Sequence, residues 1–178
     1  MGHCCDDLIA LFRRCFFRNF NTCLVKGSDE PVYLPASYGR PHHEIRFAHD
    51  YFSSALHECC HWFIAGAARR QLEDFGYWYQ PDGRSPQQQA AFEQVEVKPQ
   101  ALEWILSVAA GHRFRISADN LSGVATDMAP FRAAVLEQVH HYIANGLPTR
   151  AEKFRLALAD FYRTGDSMDR KWFVLTDL

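Results

Sequence analysis

The segment His57-Glu58-Cys59-Cys60-His61 constrains this chain more than any other stretch, because it sets two imidazoles four residues apart inside an apolar run. On a helix that spacing is one turn, so both rings project from the same face toward a single metal ion. With its content of His and Glu, a chain of this length holds about 0.02 such motifs by chance. The surrounding residues agree with a helix: Ser53 or Ser54 can cap it, and Ala, Leu, Cys, Trp, Phe and Ile carry it to about Arg70.

Around this helix the patterning predicts a helix-rich α+β fold, one domain over residues 1–178 with a small β-sheet. Leu8, Ile9, Leu11, Phe12, Cys15 and Phe16 recur at helical spacing behind the possible caps Asp6 and Asp7. Pro31 to Pro35 and Ile45 to His49 read as short strands, the first an edge strand because prolines flank it. Phe75 to Arg84 reads as a strand into a Pro-Asp-Gly turn. A short helix starts at Ser85-Pro86, and a second runs from Lys98 to Gly111, with Glu93 and Glu96 at the joint. After a strand near Phe114 to Ser117, helices are expected from about Pro130 to Asn145 and from Thr149 to Arg163, closed by Gly146 and Gly165.

Composition removes several classes of function. Lys and Arg number 19 against 21 Asp and Glu, a formal charge of −2, so no polybasic field exists to hold nucleic acid or an anionic membrane. The longest apolar run, Trp62 to Ala68, falls far short of the roughly 20 residues that cross a bilayer. The start of the chain lacks a cationic segment followed by an apolar one, so no signal peptide is read and the expected compartment is the cytoplasm. Six cysteines include two adjacent pairs and no Cys-x-x-Cys, so they are expected as reduced thiols behaving as small apolar residues.

Two histidines leave a metal incompletely held, and a carboxylate downstream is expected to complete the set. Glu96 is the first choice, Glu93 its competitor, and Glu103 stands behind them. Glu58 is the candidate catalytic residue. It can serve as general base toward a metal-activated water, as in a zinc metallopeptidase of the HExxH type, or orient a ligand and polarise an oxygen-binding site. Glu137-Gln-Val-His140 repeats the Glu-x-x-His spacing of Glu58 and His61, as di-iron helical bundles do. Composition yields about 0.5 such matches by chance, so a di-iron centre ranks below a mononuclear one. A non-enzymatic module with a closed structural metal site is the third reading.

Several segments taken together resemble one family. They are Asp29-Glu-Pro-Val-Tyr-Leu-Pro-Ala36, Phe47-Ala-His49, Ala55-Leu-His-Glu-Cys-Cys-His-Trp62, Ile64-Ala-Gly66, Ala68-Arg-Arg70, Asp74-Phe-Gly-Tyr-Trp-Tyr79, Pro81-Asp-Gly-Arg84 and Phe92 to Trp104. The likeness is to the bacterial elongation factor P hydroxylases, and it is densest from Asp29 to Trp104. The resemblance implies hydroxylation of a modified lysine of translation elongation factor P, after β-lysine has been attached to it. It further implies an Fe(II) centre using dioxygen, with a reductant left unidentified, and with His57, His61 and Glu96 as metal ligands. The chain departs from the family pattern at Cys59-Cys60 and at Phe63, leaving the ligand positions untouched. A doubly aminated substrate calls for carboxylates near the metal, for which Glu73, Asp74, Asp82 and Glu93 are candidates. The aromatic run Tyr77, Trp78, Tyr79 can line a channel and meet ammonium groups through its ring faces.

Overall fold

The computed structural model of the chain describes residues 2–27, 30–75, 83–117 and 127–177. Helix α1 (Cys5–Phe20) buries Leu8, Leu11, Phe12, Cys15 and Phe16 along one face. Its cap position belongs to Cys4, while Asp6 and Asp7 sit inside the first turn, where negative charge suits the helix dipole. Asn21 ends the helix in the left-handed region and turns the chain directly into β1 (Thr22–Lys26), a strand separated from the helix by that one residue.

Strands β2 (Val32–Leu34) and β3 (His43–Phe47) complete a sheet in the order β1-β3-β2. β1 runs parallel and β2 antiparallel to β3, with Leu24 opposite Ile45 and Tyr33 on its other side. The strand expected at Ile45 to His49 therefore starts and ends two residues early. His49 and Asp50 both take positive φ (59° and 54°), a turn that stops the ladder.

Helix α2 (Phe52–Ile64) carries the paired histidines and packs on β3, α1, α3 (Pro86–Ala110) and α5 (Thr149–Tyr162). It starts after Tyr51 and stops at Ile64, short of the expected Arg70, and a separate 3-10 turn spans Arg69–Gln71. Ala65 is extended and Gly66 follows, so the helical pattern of residues beyond Ile64 is not continued. The buried side of α2 rests on aromatic rings: Trp62 and Phe63 lie 5.2 to 6.2 Å, centre to centre, from Phe12, Phe16 and Phe154. Each such pair contributes about 0.5–1.5 kcal/mol beyond area burial, a rigid base for a helix that must hold ligands in place.

Helix α3 is one helix of 25 residues where two were expected, with Pro99 in its interior. A proline there costs about 3 kcal/mol. Residues Gln100 to Ser107 behind it are buried without interruption, which outweighs that cost, and Pro99 and Val95 line a cavity. The helix starts at a capping box: Gln88 N–H donates to Ser85 Oγ at 3.3 Å and Ser85 N–H to Gln88 Oε1 at 2.8 Å. It ends at Gly111, φ 65°. Helices α4 (Ala129–Asn145) and α5 lie against α3, and α5 is closed by Arg163 in the left-handed region rather than by Gly165.

Residues Phe114 to Ser117 form no strand. The Gln100 amide bonds both backbone groups of Ser117, at 2.6 and 3.1 Å, and Phe114 stacks on Trp104, so side chains of α3 do the work a neighbouring strand would do. Most of the strand and turn expected at Phe75 to Arg84, including Tyr77, Trp78, Tyr79 and Asp82, lies outside the described residues.

Candidate metal centre

Two helices build the centre. His57 and His61 lie one turn apart on α2, and their Nε2 atoms approach to 3.0 Å. From α3, Glu96 reaches between them: Oε2 is 3.4 Å from His57 Nε2 and Oε1 is 3.3 Å from His61 Nε2. The donor atoms of the three residues all fall within 4.8 Å of one another, the one group of its kind among the described residues.

Glu96 is only 4% exposed, and its Oε2 is a buried oxygen with no hydrogen-bond partner. A buried carboxylate oxygen left in that state is costly unless a cation meets it. Two imidazole nitrogens and one carboxylate are the ligand types that iron, zinc and neighbouring divalent ions accept. The residues therefore fit a divalent metal.

Glu103, two turns beyond Glu96 on α3, accepts from His57 Nδ1 at 2.8 Å. In the neutral ring that bond keeps the proton on Nδ1 and frees Nε2, on the side of His61 and Glu96, to ligate a metal. Burial raises the Glu103 carboxyl, while the bond from His57 opposes it. Burial by itself would lower His57, but the adjacent Glu96 and Glu103 carboxylates outweigh it and raise that ring well above the ordinary histidine range. Burial likewise pushes Glu96 upward, and the two imidazoles override it, holding the carboxyl far below the usual range. The pocket is thus built to attract positive charge. Sequence reasoning placed Glu103 behind Glu93 as a spare ligand. Its orienting role was hidden because Pro99 suggested a break between two residues that share one helix face.

Two cavities adjoin His61. The smaller, about 30 Å³, is lined by Glu58 and Trp62 together with Tyr33, Ile45 and the Arg69–Asp74 pair. Burial raises the Glu58 carboxyl, the two histidines opposing, and no side-chain hydrogen bond contributes to that balance. The larger, about 260 Å³, has Ile64, Val95 and Pro99 as apolar wall and Gln94, Lys98, Arg69 and Asp74 as polar lining. Asp74 borders both cavities. Glu73 is exposed, and Glu93 accepts from the Gln89 amide at 3.0 Å and lines neither cavity. Tyr77, Trp78 and Asp82 cannot be placed among these described residues.

Cys59 and Cys60 are fully buried in the core, burial lifts both thiols well above the ordinary range, and neither belongs to the cluster of possible ligands. Phe63, the other departure from the family pattern, packs against Phe12, Phe16 and Phe154. All three departures fall in the core, and none of them supplies an atom to the ligand cluster. Glu137 is exposed on α4 and neither it nor His140 joins the cluster, so the second Glu-x-x-His match builds no second metal site among the described residues.

Residues 11–173 match the family model described as elongation factor P hydroxylase. A protein of Haemophilus influenzae named elongation factor P lysine hydroxylase is 56% identical over 176 residues, covering 99% of each chain.

Proposed function

The chain belongs to the elongation factor P hydroxylase family, and on that premise we propose that it hydroxylates the β-lysylated lysine side chain of elongation factor P at a mononuclear Fe(II) centre. The observation that carries the reading is Glu96, a buried carboxylate with an orphaned oxygen set within 3.4 Å of both imidazoles. His57, His61 and Glu96 would hold the ion. Fe(II) supplies the redox chemistry with dioxygen that an unactivated C–H bond requires and that zinc lacks.

The chain's own residues do the rest. Three protein ligands leave coordination positions free, as the two-His-one-carboxylate set does in non-haem oxygenases. Glu103 fixes the His57 tautomer, and with Glu96 it brings two negative charges that balance a divalent cation. Glu58 stands beside His61 at the wall of the smaller cavity, where burial raises its carboxyl and suits it to proton transfer. The larger cavity offers Ile64, Val95 and Pro99 to the methylenes of an extended alkylamine, and its carboxylate, Asp74, is paired with Arg69, a pair that an incoming ammonium would have to share. Tyr77, Trp78, Asp82 and Glu93 are proposed to complete the substrate contacts, the first two through cation–π interactions. Modification of a translation factor places the protein in the cytoplasm in this reading, and no helix among the described residues is long and apolar enough to cross a membrane. The HExxH peptidase alternative has no observation of its own in its favour.

The test is intact-mass analysis of β-lysylated elongation factor P incubated aerobically with the protein, Fe(II) and ascorbate as electron donor. The expected result is a gain of one oxygen atom that disappears with His57→Ala. No gain with iron demonstrably bound would overturn the reading.

A further inference from the structure

Helices α1, α3 and α5 each end by passing into a left-handed residue, Asn21, Gly111 and Arg163, the usual way of satisfying the last carbonyls. Helix α2, which carries both histidines, has no such ending: Ala65 is extended (φ −59°, ψ 125°). Its terminal carbonyls are taken instead from across the molecule. Arg150, at the start of α5, directs Nη2 to the carbonyl oxygens of Trp62, Phe63 and Ala65 at 2.9, 3.0 and 2.6 Å. Arg70 Nη1 adds a bond to Ala65 at 2.6 Å.

This arrangement is expensive. The Arg150 guanidinium lies 4.6 Å from the Trp62 ring centre and 5.6 Å from that of Phe20, and its Nε is buried without a partner. Among the described residues no carboxylate neutralises it, and its charged neighbour Arg70 repels it. Nη2 carries two hydrogens, so the three carbonyls share them, and the planar guanidinium reaches all three while it lies over the Trp62 ring. His61 belongs to the turn so held: its carbonyl accepts from Ala65 N–H at 3.0 Å, and the next two carbonyls are those of the Arg150 bonds.

We propose that Arg150 is a positioning residue of the metal centre, tying the last turn of α2 to the start of α5 so that His61 stays in register with His57 and Glu96. The inference rests on the metal-centre reading above. His57 sits a turn deeper and has Glu103 to orient it, whereas His61 lies in the terminal turn, where an uncapped helix frays. Loss of the clamp leaves the ligand to be ordered at the moment of binding, which lowers affinity without any change of ligand.

The experiment titrates Co(II) against a competing chelator in the native full-length chain, Arg150→Met, Arg150→Lys and Glu96→Gln. Visible absorption of bound Co(II) and thermal unfolding of the metal-free proteins are recorded alongside. Arg150→Met is expected to weaken Co(II) binding by about tenfold, at the lower end of what loss of a ligand-orienting partner costs, and to alter the Co(II) spectrum. Arg150→Lys, which keeps the charge and loses the planar group lying over Trp62, is expected to show a smaller but measurable loss. An Arg150→Met protein that melts at lower temperature yet binds Co(II) with native affinity and spectrum would overturn the proposal, leaving Arg150 a purely structural residue. Should Arg150→Met fail to fold, native affinity and spectrum in Arg150→Lys overturn it equally. A native chain that binds no Co(II) overturns the metal-centre reading itself, and the clamp with it.

Discussion

At Glu103 a single carboxylate decides which nitrogen of His57 faces the metal. Glu103→Gln keeps an acceptor for Nδ1–H but removes the charge, so its affinity for a divalent metal is expected to fall about tenfold or more, as for other partners of metal-bound histidine. Chelator competition reads that change directly, and unchanged affinity would remove Glu103 from the centre. The cysteines are separable in the same residue-by-residue way. Cys59 and Cys60, buried and held as neutral thiols, are expected to stay unmodified by a thiol reagent in the native protein, while exposed Cys4 reacts. Peptide mapping after alkylation checks this, and labelling of Cys59 or Cys60 without unfolding would contradict it.

Among the secondary elements, α2 and α3 are the two that matter for the centre, and the sequence revealed them unequally. The His-Glu-x-x-His spacing can be read as a helix face because the period of an α-helix is a local property, and Glu96 stood out as a carboxylate downstream of it. The join between Glu96 and Glu103 was not legible: Pro99 is locally a helix breaker, and its tolerance depends on burial of Gln100 to Ser107 by the rest of the fold. β1 escaped notice because it follows α1 with only Asn21 between them, and its parallel pairing with β3 is a long-range fact. The carbonyls at the end of α2 likewise find their donor in Arg150, 88 residues beyond Trp62, which no local pattern can display. The end of α3 makes a direct test of element chemistry. Gly111 has φ 65°, and a Cβ there would stand 3.1 Å from Thr164 Cγ2. Gly111→Ala is expected to destabilise the fold by about 1–2 kcal/mol, the cost of forcing a side chain into left-handed backbone. A thermal or denaturant midpoint equal to native would contradict that.

For the molecule as a whole, the main buried hydrophobic cluster draws residues from α1, the sheet, α2, α3, α4 and α5, a core extensive enough to hold the fold by apolar burial. The metal-free protein is therefore expected to remain folded, with metal adding stability by mass action, about 2.7 kcal/mol at a hundredfold excess over Kd. Thermal melts with and without metal, and with Glu96→Gln as the non-binding control, measure it. The sign of the pH dependence follows from the same site. In the metal-free fold the raised His57 contributes stability that is complete below the ordinary histidine range and is lost as pH climbs through its raised value. The depressed Glu96 contributes stability above the ordinary carboxylate range, lost as pH falls through its lowered value. A proton held on His57 competes with the metal, so metal affinity is expected to rise with pH across the neutral range. Affinity that falls or stays flat there would contradict this.

The central claim, oxygen insertion at a centre made by His57, His61 and Glu96, is tested most directly by turnover under dioxygen labelled with heavy oxygen. β-Lysylated elongation factor P, Fe(II), ascorbate and the native chain would be compared with Glu96→Gln by intact-mass analysis. One labelled oxygen atom in the product of the native chain, and none with Glu96→Gln, is the expected result. An unlabelled oxygen drawn from water, or full activity in Glu96→Gln, would contradict it.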